Sequence, residues 1–372
     1  MRKNSVVLTV ICSILAFIIG ACFGLVGFWY FDIIRTEKQS DNFVSGILQI
    51  HFPELDSYYT GDCSIIKVGN TEVLIDAGSK IDCVDTLDNY IKTICLDGVL
   101  EYVVVTHAHE DHYAGFAYNG ASGSLFNRYQ IGTIIDFSQT NQKLTTGKGN
   151  KTMYANYLDE RQEAIDAGAV HYTAKELRTN GNYTFSLSNA VTMTVLDSKY
   201  YYEKTSTGEN EHSVCTLFSQ GDRHFLFTGD LEKKGEESLV ALNNLPEVEL
   251  YKAGHHGSKT SSNDCLLKVI KPKSVCVCCC AGTSEYTDTN ANQFPTQEFI
   301  NRVAPYTDKV YVTSQVDNDS AKTYKSMNGN IVVLSKNTGL EFIFSANDLK
   351  LKDTVWFKEN RVTPTAWQTT IS

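Results

Sequence analysis

Apolar positions fall along this chain in three patterns, and each predicts a different kind of element. The first is unbroken: Ser5 to Phe31, SVVLTVICSILAFIIGACFGLVGFWYF, is 27 residues without a charge. At about 1.5 Å rise per residue, roughly 20 apolar residues cross the hydrocarbon core of a bilayer, so this run predicts a transmembrane helix. Arg2 and Lys3 precede it and Trp29-Tyr30 close it. The positive-inside tendency then places the first residues in the cytoplasm and everything after Phe31 outside.

A cleaved signal is the competing reading of the same run. Ile19-Gly20-Ala21-Cys22 is similar to a bacterial lipobox, in which Cys22 would be acylated. The chain stays apolar from Cys22 to Phe31, which favours a single-span anchor. Residues 1–40 are therefore expected to be anchor and linker.

The second and third patterns alternate. Short runs with β-type spacing include GILQIHFP, CSIIKVG, TEVLIDAG, EYVVVTH, IGTIIDF, VTMTVLD, SVCTLFSQG, RHFLFTGD and VELYKAG. Gly69-Asn70 sits between two of them as a hairpin turn. Helical spacing appears in VDTLDNYIKTICLDG, KTMYANYLDERQEAIDAGA and LEKKGEESLVALNN. SVCVCCCAG reads as a buried strand, with Cys serving as a small hydrophobe. A hairpin, GNIVVLS-KNTG-LEFIFS, ends the series. Two strand–helix series, each opening with hairpins and covered by helices, predict an αββα sandwich over residues 41–345. From Ala346 to residue 372 the chain turns polar and is expected to be a peripheral tail.

Charge sharpens this picture. The formal charge is −10, but residues 1–40 carry four cations and two anions, a net +2, so the remainder carries −12. A broadly basic nucleic-acid platform is disfavoured. The 11 cysteines match no zinc-knuckle spacing, and outside the span and the SVCVCCCAG strand, Cys63, Cys83, Cys95, Cys215 and Cys265 are left to pair or stay free.

The candidate chemistry begins at Thr106-His107-Ala108-His109-Glu110-Asp111-His112, directly after strand EYVVV. At a strand end, alternate side chains turn the same way, so His107, His109 and Asp111 can converge. Imidazoles with a carboxylate suit zinc, and are acceptable to manganese or iron. Three His and one Asp exceed what one catalytic cation needs, which suggests two. Three further strand ends carry Asp or His: Asp230 after FLFTG, His255-His256 after LYKAG, and Asp76 after VLI. Asp76 suits a carboxylate that orients a ligand imidazole. Lys252, Ser258 and Lys259 lie near enough to stabilise a leaving group. Tyr200-Tyr201-Tyr202 could line a cleft or cage a quaternary ammonium.

On these motifs the chain resembles the metallo-β-lactamase-fold hydrolases, from Ile75 to Ser258, with compatible element order to about residue 345. Within that superfamily it looks most like the extracellular hydrolase domain of ComEC-type DNA-uptake proteins, and it is also similar to teichoic-acid phosphocholine esterases. The resemblance implies that His107 and His109 hold a first metal, that Asp111, His112 and His255 hold a second, and that Asp230 bridges them. His256 stands as an alternative to His255 or as a proton donor. The family's third ligand to the first metal falls at Asn210-Glu211-His212-Ser213, where His212 is either a direct ligand or an outer contact. It further implies two divalent ions, Zn or Mn, a shared water activated by Asp111 and Asp230, and a phosphoester substrate, either nucleic acid or a teichoic-acid-like polymer. A DNA-uptake role would need a separate channel protein as partner. Fold does not decide substrate, so a lactonase or β-lactamase-type activity, or a non-catalytic envelope or DNA-binding module, are the competing classes.

Overall fold

The computed structural model describes residues 47–80, 83–117, 120, 123–204 and 208–368. The predicted membrane anchor and Cys22 lie outside the described residues. Among the described residues, no helix is long and apolar enough to cross a membrane.

Leu48–Ser372 forms one compact unit built on two eight-stranded sheets. The first contains β1 (Leu48–Phe52), β2 (Ser64–Val68), β3 (Thr71–Ile75), β4 (Val99–Val104), β5 (Gln130–Asp136) and β6 (Val170–Thr173). Later in the chain come β7 (Thr184–Ser186), β8 (Val191–Val195), β9 (Thr216–Gln220), β10 (Arg223–Phe227), β11 (Leu250–Lys252), β12 (Val275–Ala281), β13 (Val310–Asn318) and β14 (Thr323–Ser326), which make the second sheet. The closing hairpin, β15 (Ile331–Lys336) and β16 (Gly339–Phe344), returns to the first sheet in the order β16-β15-β1-β2-β3-β4-β5-β6. The second sheet runs β14-β13-β12-β11-β10-β9-β8-β7.

The layering follows from the two-residue period of each strand. Phe225, Phe227, Leu250, Cys276 and Cys278 share one core with the first sheet, and the Phe52 and Phe227 rings stack 6.2 Å apart. The alternate residues Leu226, Tyr251, Val275, Val277 and Cys279 turn to the other face. There they pack with Leu239, Leu266, Leu267 and Ile300 from the helices Lys233–Leu242, Asp264–Ile270 and Gln297–Val303. The helices Cys83–Ile91 and Met153–Asp166 cover the first sheet through Leu87, Ile91 and Tyr157. The order is helix, sheet, sheet, helix, a mixed α/β architecture.

One detail differs from the sequence reading. The region after Ala346 is not merely peripheral, because Leu351, Trp356, Phe357 and Trp367 are buried in the second core. The cysteines follow that reading: no disulfide joins any two of the described cysteines, and those of β12 are buried on both faces, as expected of SVCVCCCAG.

Each sheet contains a parallel run: β3-β4-β5-β6, which ends at the edge strand of the first, and β10-β11-β12-β13 within the second. Parallel neighbours present their carboxyl ends along one edge, where ligands typically bind in open α/β sheets. The loops after β3, β4, β10 and β11 all leave from such ends.

Candidate metal centre

Backbone contacts knit the loops of the first sheet together before any side chain is considered. The N–H of Asp76 donates to the Val104 carbonyl at 2.9 Å, that of Ala77 to His112 at 2.8 Å, and that of Asp62 to Asp111 at 3.0 Å. Gly78 lies so close to this loop that a Cβ there would sit 2.1 Å from the Asp111 carbonyl carbon. From the second sheet, Gly229 has φ +53°, and a Cβ would meet Thr106 and Ser213 at 2.9 Å, so glycine is required just before Asp230.

Four side chains then converge. Ligand atoms of Asp62, His112, Asp230 and His256, all buried, lie within 4.8 Å of one another. His112 Nε2 is 3.2 Å from Asp230 Oδ2, and His256 Nε2 is 3.4 Å from the same oxygen. Asp111 Oδ2 adds a further carboxylate 3.3 Å from His256 Nε2. The ring orientations are set from behind. His112 Nδ1–H donates to Asp76 Oδ2 at 2.8 Å, and His256 Nδ1–H donates to the Cys278 carbonyl at 2.9 Å. Each ring is thereby held in the tautomer that turns Nε2 inward.

The donor set fits a divalent cation. His112 Nε2, His256 Nε2, Asp230 Oδ1 and Asp62 Oδ1 are buried and make no hydrogen bond. Buried polar atoms in that condition are costly unless something satisfies them. Burial opposes charge on His112 and His256, but Asp230 with Asp76 or Asp62 outweighs it and raises both pKa values well above the ordinary histidine range. Burial opposes charge on Asp230 as well, yet His112, His256 and His255 hold it well below the usual carboxylate range. Without a cation, protons on imidazoles balance these carboxylates; a cation would replace them.

Of the neighbouring pair, His256 rather than His255 enters the four-residue cluster. Both have left-handed backbones, φ 47° for His255 and φ 52° for His256, in the tight turn Gly254–Gly257. Non-glycine residues in that region are strained, and such strain concentrates at functional sites. The turn sends His255 to the rim, half-buried, with Nδ1 3.1 Å from Thr260 Oγ1 and 3.4 Å from Glu232 Oε1. Its Nε2 remains 3.8 Å from Asp230 Oδ2.

The other sequence-predicted residues form a looser flank. His107 is buried with Nε2 3.0 Å from His109 Nδ1, and the His107 and His112 ring centroids are 4.2 Å apart. Burial, together with His112 and His109, lowers the His107 pKa well below the ordinary value. His212 is buried; its Nδ1–H donates to the Tyr200 carbonyl at 3.2 Å and its Nε2 has no hydrogen-bond partner. Ser213 Oγ accepts from the Asp230 backbone N–H at 3.1 Å, and Asn210 Nδ2 donates to Glu232 Oε1 at 3.3 Å. Tyr200 and Tyr201 are buried, so the tyrosine triplet is no open cage.

Three residues of the site were not singled out in these roles from sequence. Asp62 arrives from the loop before β2, and the only local signal was a polar residue beside Gly61. Lys252, expected near a leaving group, is instead buried in an ion pair with Asp62. Burial would discharge Lys252, but Asp62 and Asp230 raise its pKa above the normal lysine range. Tyr286, in the loop after β12, donates its phenol O–H to Asp111 Oδ2 at 2.7 Å.

Comparisons with known proteins agree with the motifs. The model of the metallo-beta-lactamase superfamily matches residues 204–281, which contain Asp230, Lys252, His255 and His256. The chain is similar to Competence protein ComA of Neisseria gonorrhoeae, 37% identical over 103 residues, covering 27% of this chain and 14% of that protein. It is also similar to Recombination protein 2 of Haemophilus influenzae, 38% identical over 64 residues, covering 17% and 8%. Each match therefore spans only a small part of its relative's length. A metallo-β-lactamase fold protein from Bacillus subtilis, YhfI, aligns in structure with 10% identity and a TM-score of 0.39, over 71% of this chain and 96% of that one. A metallo-β-lactamase superfamily segment is present in the chain, and its relatives include competence proteins.

Proposed function

We propose that this chain, with its metallo-β-lactamase superfamily segment, is a membrane-tethered, extracytoplasmic hydrolase of phosphodiesters that uses two divalent metal ions. Its substrate would be DNA or a phosphate-bearing envelope polymer. The observation that carries the reading is the convergence of Asp62, His112, Asp230 and His256, with Nε2 of both histidines and Oδ1 of Asp230 unspent on hydrogen bonds. The uncharged run from Ser5 to Phe31 supports the tether. The competence relatives support a DNA-related substrate, with any transport channel supplied by another protein.

When bound, the divalent ions would polarise a phosphoryl oxygen and lower the pKa of a water from about 15.7 toward about 7. The chain's own groups do the rest. His112, His256, Asp230 and Asp111 would hold one ion, with Asp62 behind them, and His107, His109 and His212 would hold the other. Asp76 and the Cys278 carbonyl keep the His112 and His256 rings aimed inward. Ser213 fixes the Asp230 backbone, and Asp230 Oδ1, which makes no hydrogen bond, would position the attacking water. His255, partly exposed at the rim, would face the leaving oxygen from the solvent side.

The test is hydrolysis of bis-p-nitrophenyl phosphate by the full-length chain with Mn²⁺ or Zn²⁺. Activity that disappears in His109→Ala is expected. Full activity in that variant overturns the site. Faster turnover of a lactone or a β-lactam than of the phosphodiester overturns the substrate class.

A further inference from the structure

One aromatic side chain touches the centre and also faces solvent. Tyr286 is 53% exposed, although its hydroxyl is committed to Asp111 inside the site. Exposure of that size in a residue whose polar end is buried means that the ring itself is presented. Its position is built, not incidental. Ser284 N–H donates to Asp319 Oδ1 at 3.2 Å, and Glu285 Oε2 accepts from the Thr60 N–H at 2.8 Å, fixing the loop on both sides. Phe294 backs the ring at 5.7 Å between centroids and also packs against His255 and His256. A floor of Phe294 therefore places one face of Tyr286 beside the centre, with the hydroxyl as its hinge pin.

The surroundings select the ligand. Lys80 Nζ lies 3.4 Å from Glu285 Oε1 and 3.5 Å from Glu110 Oε1, joining the Tyr286 loop to the histidine loop. Lys80 and Lys322 both lie 5.5 Å from the Tyr59 ring centroid. Lys80 is already paired with Glu285 and Glu110, so Lys322, beside half-buried Tyr59, is the ammonium that meets an anionic backbone and disfavours a quaternary ammonium. Alternating aromatic faces and cations are how proteins bind single-stranded nucleic acid without reading its sequence.

We propose that Tyr286 is the substrate-positioning residue of this centre, stacking a base next to the phosphodiester and so selecting single-stranded nucleic acid. The proposal rests on the phosphodiesterase reading for its chemistry, but it can be tested without turnover. The measurement is fluorescence anisotropy of a labelled dodecathymidylate and of an abasic strand of equal length, with the full-length chain and chelator present. The wild-type chain should bind the base-bearing strand about tenfold more tightly than the abasic one. Tyr286→Ala should bind both alike, while Tyr286→Trp and Tyr286→Phe keep the preference. Tyr286→Phe should nevertheless retain metal less well, because Asp111 loses its hydroxyl donor.

No base preference in the wild-type chain, or an unchanged preference in a folded Tyr286→Ala, overturns the proposal. So does tighter binding of a phosphocholine-bearing teichoic acid than of the oligonucleotide. Failure to hydrolyse any phosphodiester would overturn the proposed reaction while leaving base-dependent binding to be read on its own.

Discussion

The two flanks of the histidine cluster are built on different principles. On one, His112 and His256 each have a fixed acceptor behind Nδ1, with Asp76 and Asp62 on that side, and Asp230 and Asp111 stand in front of Nε2. On the other, His107 faces His109, and among the described residues His212 leans on a backbone carbonyl rather than a carboxylate. The first flank concentrates negative charge in a buried volume, which costs free energy unless cations or protons offset it. The second consists of imidazoles without a carboxylate against their rings, and such a set attracts a cation less. Metal should therefore be held more tightly at the carboxylate flank.

Asp230→Ala tests this contrast most severely. Removing the carboxylate that both His112 and His256 approach should lower phosphodiester turnover by about a thousandfold and cut bound metal measured by atomic emission. A loss within tenfold would mean that the carboxylate flank is not the tighter one.

Asp62→Ala comes next and is read in stability. It leaves Lys252 charged, buried and unpaired, which typically costs about 3–5 kcal/mol in denaturant unfolding. Adding Lys252→Met should recover most of that loss. If the single variant is as stable as the parent, Asp62 does not serve as the counter-ion of Lys252.

Asp76→Asn disturbs only what stands behind His112, so metal affinity should fall about 10–100-fold, with folding retained. His212→Gln, on the imidazole flank, should change the affinity of the tighter ion less. Equal losses in the two variants would erase the distinction between the flanks.

The smallest effect is the pH dependence of the metal-free protein. His112 and His256 have folded-state pKa values above the unfolded value of about 6.5, so their contribution is complete below that pH and is lost as pH rises through the raised values. His107 is shifted the other way; its contribution is present above about pH 6.5 and is lost as pH falls. If the carboxylate flank dominates, the melting temperature of chelated protein should fall as pH rises above about 6.5. A steady rise would reverse the assignment.

Legibility in the sequence followed the range of each interaction. The runs that became β1 to β5 and β8 to β12 are long or strongly apolar, and their periodicity was sufficient. The strands β6, β7 and β14 have only three or four residues, mostly exposed, and left no periodic signal. Trp356 and Phe357 were hidden in a polar context, since two apolar residues on a short helix do not mark a core.

What the sequence determined by itself is therefore local: a mixed α/β chain, and His107, His109, Asp111 and His112 held in one loop by their spacing. Asp230 and the His255-His256 pair were likewise marked by the strands that end in them. What only the tertiary structure decided is which of two adjacent histidines turns inward, and which distant groups complete the site. That choice rests on two left-handed residues in a tight turn, whose direction depends on packing against Pro295 and Phe299 around Gly257. Asp62 and Lys252 are 190 positions apart, and Tyr286 and Asp111 are 175 apart. Each of these contacts exists because loops of the two sheets meet at one edge, and no pattern along the chain encodes that meeting.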